Sequence, residues 1–286
     1  MGSQSSGQGS ILAVTDVSAV GRCAALAAVP VLSLSGSSCA LLPTAFFSAH
    51  TGGFGAVYRR DMTQDMEQAL AHWAGLGLRF DAVLISYVAG HRQLALLEEA
   101  LPSLLAPGGR LYVDPVMGDQ GRRYAFCGEE LLAGFRRLCA RADVIFPNRT
   151  EAALLQGLPV QDGQEPAPPD ISQLAALGAG QAVVTGAVNA AGQIGVLAAA
   201  RGQSAWYETY RPRHEGAYPG TGDLLAACMV SALERGARLP QACEIACDFL
   251  DHALQFTQGF AAPHRFGLAF EPALPRLAGV LSALTP

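Results

Sequence analysis

The chain has 286 residues, of which 50% are hydrophobic and 15% are charged, with a formal net charge of −5. This length and apolar content suit one large α/β domain with a well-buried core. The mild acidity argues against nucleic-acid and membrane-surface partners, and no apolar run reaches the roughly 18 residues that a membrane span requires.

The first ten residues and the cysteines give expectations about processing and compartment. Residues 1–10 are rich in Gly, Ser and Gln and lack the charged and apolar regions of a secretory signal, so we expect a disordered leader or tag. The seven cysteines are scattered, mostly among apolar neighbours, and form no CxxC pair. Reduced thiols in a cytoplasmic protein explain this pattern better than disulfides or zinc.

Short β-type segments alternate with helical segments along the whole chain. We predict strands at 11–15, 38–47, 82–86, 110–113, 143–146 and 181–185, and an antiparallel edge pair at 193–199 and 204–210. We predict helices at 21–36 (kinked or divided at Pro30), 63–77, 92–105, 129–140, 149–156, 171–177, 223–235, 240–257 and 272–284. Repeated βα units predict a single domain, residues 11–286, in which helices cover both faces of a mostly parallel sheet.

The most informative motif is Gly-Thr-Gly-Asp at 220–223, directly before an apolar helical run. Two glycines around Thr221 leave backbone amides free at a helix start, where the helix dipole favours an anion. Asp223 would repel a bound phosphate, but it suits a neutral hydroxyl that is to be deprotonated. An anion hole beside a carboxylate base is what phosphoryl transfer to an alcohol requires. An ordinary helix cap is the alternative interpretation of these four residues.

Polar residues also follow the predicted strands, at the sheet edge where ligands bind in such folds. They are Asp16, Tyr87, Asp114, Asn148, Glu151 and Thr185. Taken alone, Asp114 fits an Asp-Pro turn and Asn148 fits a helix cap. Together with the 220–223 motif, these residues would place carboxylates, a side-chain amide and an anion site at one edge of the sheet. One or two carboxylates acting through water suit Mg²⁺ bound to ATP.

These motifs resemble the pyridoxal kinase branch of the ribokinase-like superfamily, the vitamin kinases, from about Ile11 to about Gln258. The resemblance rests on five segments in the family's order: Gly21 with its following helix, His-Thr-Gly at 50–52, Asp-Pro-Val-Met-Gly at 114–118, Pro-Asn-Arg-Thr-Glu at 147–151, and 220–223. It implies a ribokinase-like three-layer α/β/α fold with a central, mostly parallel sheet. It also implies an ATP-dependent kinase that phosphorylates the 5′-hydroxymethyl group of pyridoxal, pyridoxamine or pyridoxine in vitamin B6 salvage.

The resemblance further implies cofactors, assembly and residue roles. ATP and Mg²⁺ are expected, the need for a monovalent cation stays open, and a homodimer is expected. Asp223 would be the catalytic base, with the amides of Gly220, Thr221 and Gly222 at the γ-phosphate. The vitamin side would comprise Asp16, Thr51, Gly52, Tyr87 and Asp223. The nucleotide side would comprise Asp114, Asn148, Glu151, Thr185, Arg211, Arg213, His214 and Thr221, with Asp114 and Glu151 as metal ligands.

The chain departs from the family pattern at three places. Asp16 stands where many members have serine, Phe146 replaces a polar residue, and Gly186 with Ala187 stands where a serine or lysine often contacts phosphate. A carboxylate at Asp16 can accept a hydrogen bond from a ring nitrogen, a phenolic hydroxyl or an amine. This departure favours pyridoxamine or another cationic substrate.

Three alternative functions stay open. A hydroxymethylpyrimidine kinase of the same fold shares the segments at 114–117 and 147–151, but such kinases generally carry cysteine at the position of Asp223. A nicotinamide-dependent oxidoreductase would need a GxGxxG turn after the first strand, where this chain reads Asp-Val-Ser-Ala-Val-Gly at 16–21. The third alternative is a non-catalytic vitamin-binding protein with the kinase fold. The departures from the family pattern at Asp16 and Gly186 leave it open.

Overall fold

The computed structural model describes residues 9–167, 170–177, 179–203, 205–260 and 264–284. Residues 1–8 of the expected leader and Ser204 of the expected edge strand lie outside the described residues. Ser10, which we expected in the leader, instead begins the first strand. Across the described residues, no helix combines the length and the apolarity that crossing a membrane requires.

Strands and helices alternate through most of the described chain. The strands are β1 (Ser10–Ser18), β2 (Ser38–Phe47), β3 (Arg59–Asp61), β4 (Phe80–Ile85), β5 (Leu105–Val113), β6 (Gly118–Asp119), β7 (Arg122–Arg123), β8 (Val144–Ile145), β9 (Gln181–Val188), β10 (Ile194–Ala200) and β11 (Tyr207–Arg211). The helices are α1 (Ala24–Ser33), α2 (Thr63–Leu76), α3 (His91–Leu104), α4 (Glu129–Cys139), α5 (Arg149–Gln156), α6 (Ile171–Ala176), α7 (Thr221–Glu234), α8 (Leu239–Gln258) and α9 (Leu274–Ser282).

Nine strands form one mixed sheet in the order β11-β10-β9-β8-β5-β4-β1-β2-β3. The six strands from β9 to β2 pair in parallel. β10 pairs antiparallel with β9 and β11, and β3 pairs antiparallel with β2. The parallel centre and the antiparallel edge pair are therefore confirmed, and β3 is an additional edge strand.

Two apolar cores lie on opposite faces of this sheet. Buried residues of α1, α7, α8 and α9 form one core, and buried residues of α2 to α6 form the other. Along β1, Ile11 and Ala13 belong to the first core while Leu12 and Val14 belong to the second. A strand buried on both faces is what the continuous apolar runs of the sequence predict, and the expected three-layer α/β/α fold is confirmed.

Two of the helices show how local signals decide helix ends. α5 covers the predicted residues, because Asn148 and Glu151 form a capping box at its start and Gly157 ends it with φ +74°. α1 begins at Ala24 rather than Gly21, whose φ of +115° is incompatible with a helix. Of the two outcomes expected at Pro30, a kink or a division, division is wrong because the helix continues through this residue.

Candidate active site

The 220–223 turn starts helix α7. Gly220 is the N-cap, with φ +85°, and its carbonyl accepts the first helical hydrogen bond from the Leu224 amide at 3.0 Å. No side chain caps this end of the helix. Among the described residues, the amides of Thr221, Gly222 and Asp223 have no acceptor. Three free N–H groups at the positive end of a helix can bind an anion.

The turn is held by close backbone packing. A Cβ atom on Gly220 would lie 1.9 Å from the Arg22 carbonyl oxygen and 3.0 Å from the Cys23 Cα. A Cβ atom on Gly267 would lie 3.0 Å from the same carbonyl oxygen. The Arg22 amide donates to the Phe266 carbonyl at 2.9 Å. Three loops therefore meet backbone to backbone, and this contact fixes the direction in which the free amides point.

The Asp223 carboxylate lies in the first turn of α7 and is fixed by the residue that begins α1. Its Oδ2 accepts a hydrogen bond from the Ala24 amide at 2.8 Å. Ala24 has φ +50°, a left-handed conformation that is uncommon for a residue other than glycine. Burial raises the pKa of Asp223, although the Ala24 hydrogen bond opposes this rise. A carboxylate with a raised pKa accepts a proton more readily than an ordinary one.

Asp16 lies inside β1, so the expectation that it follows the first strand is wrong. The register between β1 and β2 shifts between Thr15 and Val17, that is, at Asp16. Asp16 is 7% exposed, and its Oδ2 accepts a hydrogen bond from the Ser18 hydroxyl at 2.9 Å. Burial and the charge of Asp223 raise the pKa of Asp16 to about 7. The two carboxylates therefore lie within electrostatic reach of each other.

The acids after β5 and β8 form a second pair. Glu151 is buried, and its carboxylate accepts hydrogen bonds from the amides of Met117 at 3.0 Å and Asn148 at 2.9 Å. Burial and the charge of Asp114 raise the pKa of Glu151. Burial and the charge of Asp223 raise the pKa of Asp114. Asp114 therefore lies within electrostatic reach of both Asp223 and Glu151, the acid of the α5 capping box.

Asn148 and Thr185 are neighbours across β8 and β9. Asn148 follows β8, but Thr185 lies inside β9, so the expectation that Thr185 follows its strand is wrong. They form an isolated parallel bridge, in which the Thr185 amide donates to the Pro147 carbonyl at 2.9 Å. The Asn148 side-chain amide donates to the Gly118 carbonyl at 2.8 Å and so holds the start of the β6–β7 hairpin. The structure thus brings Asn148, Thr185, Glu151 and Asp114 to one edge of the sheet.

Aromatic side chains cluster around Tyr87, which follows β4. The Tyr87 ring lies 5.8 Å from the Phe47 ring and 5.2 Å from the Phe126 ring, and Tyr124 stacks on Phe126 at 5.6 Å. The sequence interpretation missed Phe126, because it lies outside the predicted elements and reaches Tyr87 only through the folded hairpin. It also missed Ala24, whose contribution is a backbone amide that no sequence signal marks.

His50 braces the loop that carries Thr51 and Gly52. The ring is 6% exposed, its Nδ1 accepts a hydrogen bond from the Gly52 amide at 3.0 Å, and its Nε2 donates to the Arg265 carbonyl. Both ring nitrogens are therefore used within the protein. Thr51 and Gly52 themselves are exposed.

Arg211 and His214 belong to a different cluster of side chains. The Arg211 guanidinium donates to Glu244 and Asp248 of α8, and His214 pairs with another acid of α8 at 2.8 Å. Arg213 is exposed. The structure does not bring the Arg211 and His214 side chains to the carboxylates at the strand ends.

The fold and the site together define a class of protein. A doubly covered parallel sheet carries free helix-start amides, an adjacent half-buried carboxylate and further acids at its edge, which is the arrangement of a ribokinase-like small-molecule kinase. Within the described residues, no group of three or more His, Cys, Asp or Glu residues could hold a metal by itself.

Comparison with known proteins makes the class more specific. The family model described as phosphomethylpyrimidine kinase matches residues 43–268. The pyridoxal kinase of Ovis aries is 31% identical over 235 residues, which are 74% of this chain and 73% of that protein. The pyridoxal kinase structure from Lactobacillus plantarum has a TM-score of 0.86 with 32% identity, covering 97% of this chain and 99% of that one.

A structure from Bacteroides thetaiotaomicron, described as a phosphomethylpyrimidine kinase and solved with pyridoxal, has a TM-score of 0.86. It is 28% identical and covers 97% of this chain and 96% of that chain. These matches show that the chain belongs to the family of phosphomethylpyrimidine and pyridoxal kinases, and the resemblance seen in the sequence is confirmed.

Proposed function

We propose that the chain transfers the γ-phosphate of ATP to the 5′-hydroxymethyl group of pyridoxal, pyridoxamine and pyridoxine. The observation that carries this proposal is the pairing of free amides at Thr221 and Gly222 with the half-buried carboxylate of Asp223 in one helical turn. The pyridoxal kinase relatives and the pyridoxal-bound neighbour support the choice of substrate.

In the proposed reaction, Asp223 accepts the proton of the acceptor hydroxyl while that oxygen attacks the γ-phosphorus. The bond between this phosphorus and the β,γ-bridging oxygen breaks, and ADP leaves with that oxygen. Its hydrogen bond from Ala24 keeps the carboxylate oriented, and its raised pKa brings it closer to the range of an effective base. The amides of Gly220, Thr221 and Gly222 receive the phosphate that is being transferred. A positioned base contributes about 10²–10⁴ in rate, and one anion-hole donor about 10²–10³.

Asp114 is the residue that fits best as a metal ligand. Glu151 already accepts two backbone hydrogen bonds, so it suits contact through water, whereas the Asp114 carboxylate has no hydrogen-bond partner among the described residues. A carboxylate with water and phosphate oxygens is a usual Mg²⁺ environment. When bound, Mg²⁺ would neutralise charge on the phosphates. The need for a monovalent cation stays a proposal without a residue assigned to it.

The remaining site residues are assigned either to the vitamin or to the nucleotide. Tyr87 with its aromatic neighbours, Thr51 and Gly52 would contact the vitamin ring. Asn148 and Thr185 would face the nucleotide phosphates. Arg211 is left out of the proposal as an ATP contact because its donors are held by acids of α8. A homodimer and a cytoplasmic location are proposed from the resemblance and the cysteine pattern alone.

Hydroxymethylpyrimidine kinase activity is the second candidate, because the matching family model is described as phosphomethylpyrimidine kinase, which also names a pyrimidine substrate. A substrate panel separates the two. The purified chain with ATP and Mg²⁺ is assayed for ADP release with pyridoxal, pyridoxamine, pyridoxine and hydroxymethylpyrimidine. Turnover of the vitamers is expected, turnover of the pyrimidine alone would favour the second candidate, and vitamin binding without turnover would favour a non-catalytic role.

The base is tested by Asp223→Asn. This change removes the proton acceptor but keeps a side-chain oxygen for the Ala24 amide, so turnover should fall at least about a hundredfold with little change in ATP affinity. Asp65→Asn is a matched control, since Asp65 also lies in the first turn of a helix, α2. If Asp223→Asn kept nearly full turnover, Asp223 would have no place in the mechanism.

A further inference from the structure

Asp16 is a buried carboxylate for which the protein supplies no positive partner. The side chain is 7% exposed, and it accepts one side-chain hydrogen bond, from the neutral hydroxyl of Ser18 at 2.9 Å. The chain has no lysine. In the part of the chain that the structure describes, no arginine or histidine forms an ion pair with Asp16. The ionised form of a buried carboxylate is unfavourable without a counter-charge, and a cationic ligand group would stabilise that form.

The position of Asp16 lies on the side of the site that would hold the alcohol. The register between β1 and β4 pairs Val14 with Ile85, and Asp16 and Tyr87 each lie two residues beyond that pair. The Tyr87 carbonyl accepts a hydrogen bond from the Thr44 hydroxyl of β2 at 2.9 Å. Burial is the largest cause of the raised pKa of Asp16, and the charge of Asp223 is the second largest. Asp16 also helps to raise the pKa of Tyr87. It therefore lies within reach of both the base and the aromatic cluster.

The chemistry of the three vitamers decides which ligand group suits this position. In pyridoxamine, the aminomethyl group and the hydroxymethyl group are attached to neighbouring ring atoms. When the hydroxymethyl oxygen is at Asp223, the ammonium group is therefore close to the same part of the pocket. Ammonium–carboxylate hydrogen bonds are charge-assisted and roughly twice as strong as neutral ones.

We propose that Asp16 binds the ammonium group of pyridoxamine and makes the chain select this vitamer over pyridoxine and pyridoxal. The inference rests on the proposed function and names the preferred substrate of the same site. Pyridoxine is a matched comparison, because it carries a neutral hydroxyl where pyridoxamine carries the ammonium group.

The test is the ratio of kcat/KM for pyridoxamine to kcat/KM for pyridoxine, measured for the full chain and its Asp16→Asn variant. Loss of a hydrogen bond between charged groups should lower this ratio about 10-fold to 100-fold, mainly by raising KM for pyridoxamine. Asp81→Asn is the control, since Asp81 also accepts a hydrogen bond from a serine hydroxyl, that of Ser10 at 2.9 Å, but at the amino end of β4. That variant should keep the wild-type ratio.

A ratio in Asp16→Asn that stays within about 3-fold of wild type overturns the inference, and so does an equal loss for both vitamers. Calorimetric binding of each vitamer to the wild-type chain without ATP is a second test that needs no variant: pyridoxamine should bind more tightly, and equal affinities would overturn the inference. A wild-type chain that phosphorylates no vitamer refutes the proposed function instead, and the binding comparison then still tests Asp16.

Discussion

Replacing Gly220 with alanine tests whether backbone packing builds the anion site. The residue has φ +85°, and a Cβ atom would lie 1.9 Å from the Arg22 carbonyl oxygen. The left-handed conformation costs an L-residue about 1–2 kcal/mol, and overpacking costs about 1–3 kcal/mol more. Gly220→Ala should therefore lower the free energy of unfolding by about 2–5 kcal/mol.

Gly222→Ala is the matched variant two residues later in the same turn. Gly222 is exposed, and a Cβ atom there would meet nothing within 4 Å. The free energy of unfolding should not fall, since the added methyl group meets no neighbour and alanine is the better helix former by up to about 1 kcal/mol. The added methyl group would enter the space over the free amides, so turnover should fall about tenfold or more if a phosphate occupies that space.

Urea unfolding followed by far-ultraviolet circular dichroism measures the stability of both variants, and ADP release with pyridoxamine measures turnover. A wild-type unfolding midpoint for Gly220→Ala would refute the packing argument. Full turnover by Gly222→Ala would refute the placement of the phosphate over the amides. The two results are independent. Gly220→Ala alters the backbone packing of the turn, whereas the methyl group of Gly222→Ala has no protein neighbour within 4 Å.

Two further predictions concern titration and the α8 cluster. Burial and the charge of Asp223 raise the pKa of Asp16 from 3.8 to about 7, so the stability that its neutral form contributes is complete below about pH 4 and is lost as the pH rises through about 7. Asp16→Asn removes this dependence. The free energy of unfolding of the variant minus that of the wild-type chain, measured in urea, should therefore rise by about 2 kcal/mol between about pH 5 and about pH 8. A difference that stays constant with pH would contradict the raised pKa. Arg211→Gln should lower the unfolding midpoint, because Glu244 and Asp248 lose their partner, yet leave KM for ATP within about twofold. A large rise in that KM would instead support the role that the resemblance implies.

The sequence predicted best where the signal for an element is local. β2 covers the predicted residues, and α5 does so because its capping box and its terminal glycine are all close in the chain. β3 was not predicted, because Arg59–Asp61 is polar and exposed throughout and becomes a strand only by pairing with the edge of β2. The β6–β7 hairpin, with two residues in each strand, also carries no periodic signal.

The sequence also predicted some positions of the candidate site better than others. The order of the motifs predicted that Asp114, Asn148 and Glu151 would follow neighbouring strands, since parallel strands end at one edge. The position of Asp16 depends on a register shift between two strands, and the partners of Arg211 lie on α8, more than 30 residues further along the chain. Both are set by tertiary contacts that no spacing within the sequence displays.

The charges of the site explain why its ligands should assist one another. Burial raises the pKa of all four carboxyls, Asp16, Asp114, Glu151 and Asp223. The charge of Asp223 adds to the rise at Asp16 and Asp114, and the charge of Asp114 adds to the rise at Glu151. A cation placed at Asp16 or at Asp114 would favour the ionised form of its own partner and reduce the repulsion among the others. Asp223 would then be ionised most completely when cationic ligands occupy both ends, which is the moment at which a base is needed. This coupling links the proposed ammonium contact and the proposed metal contact through one side chain.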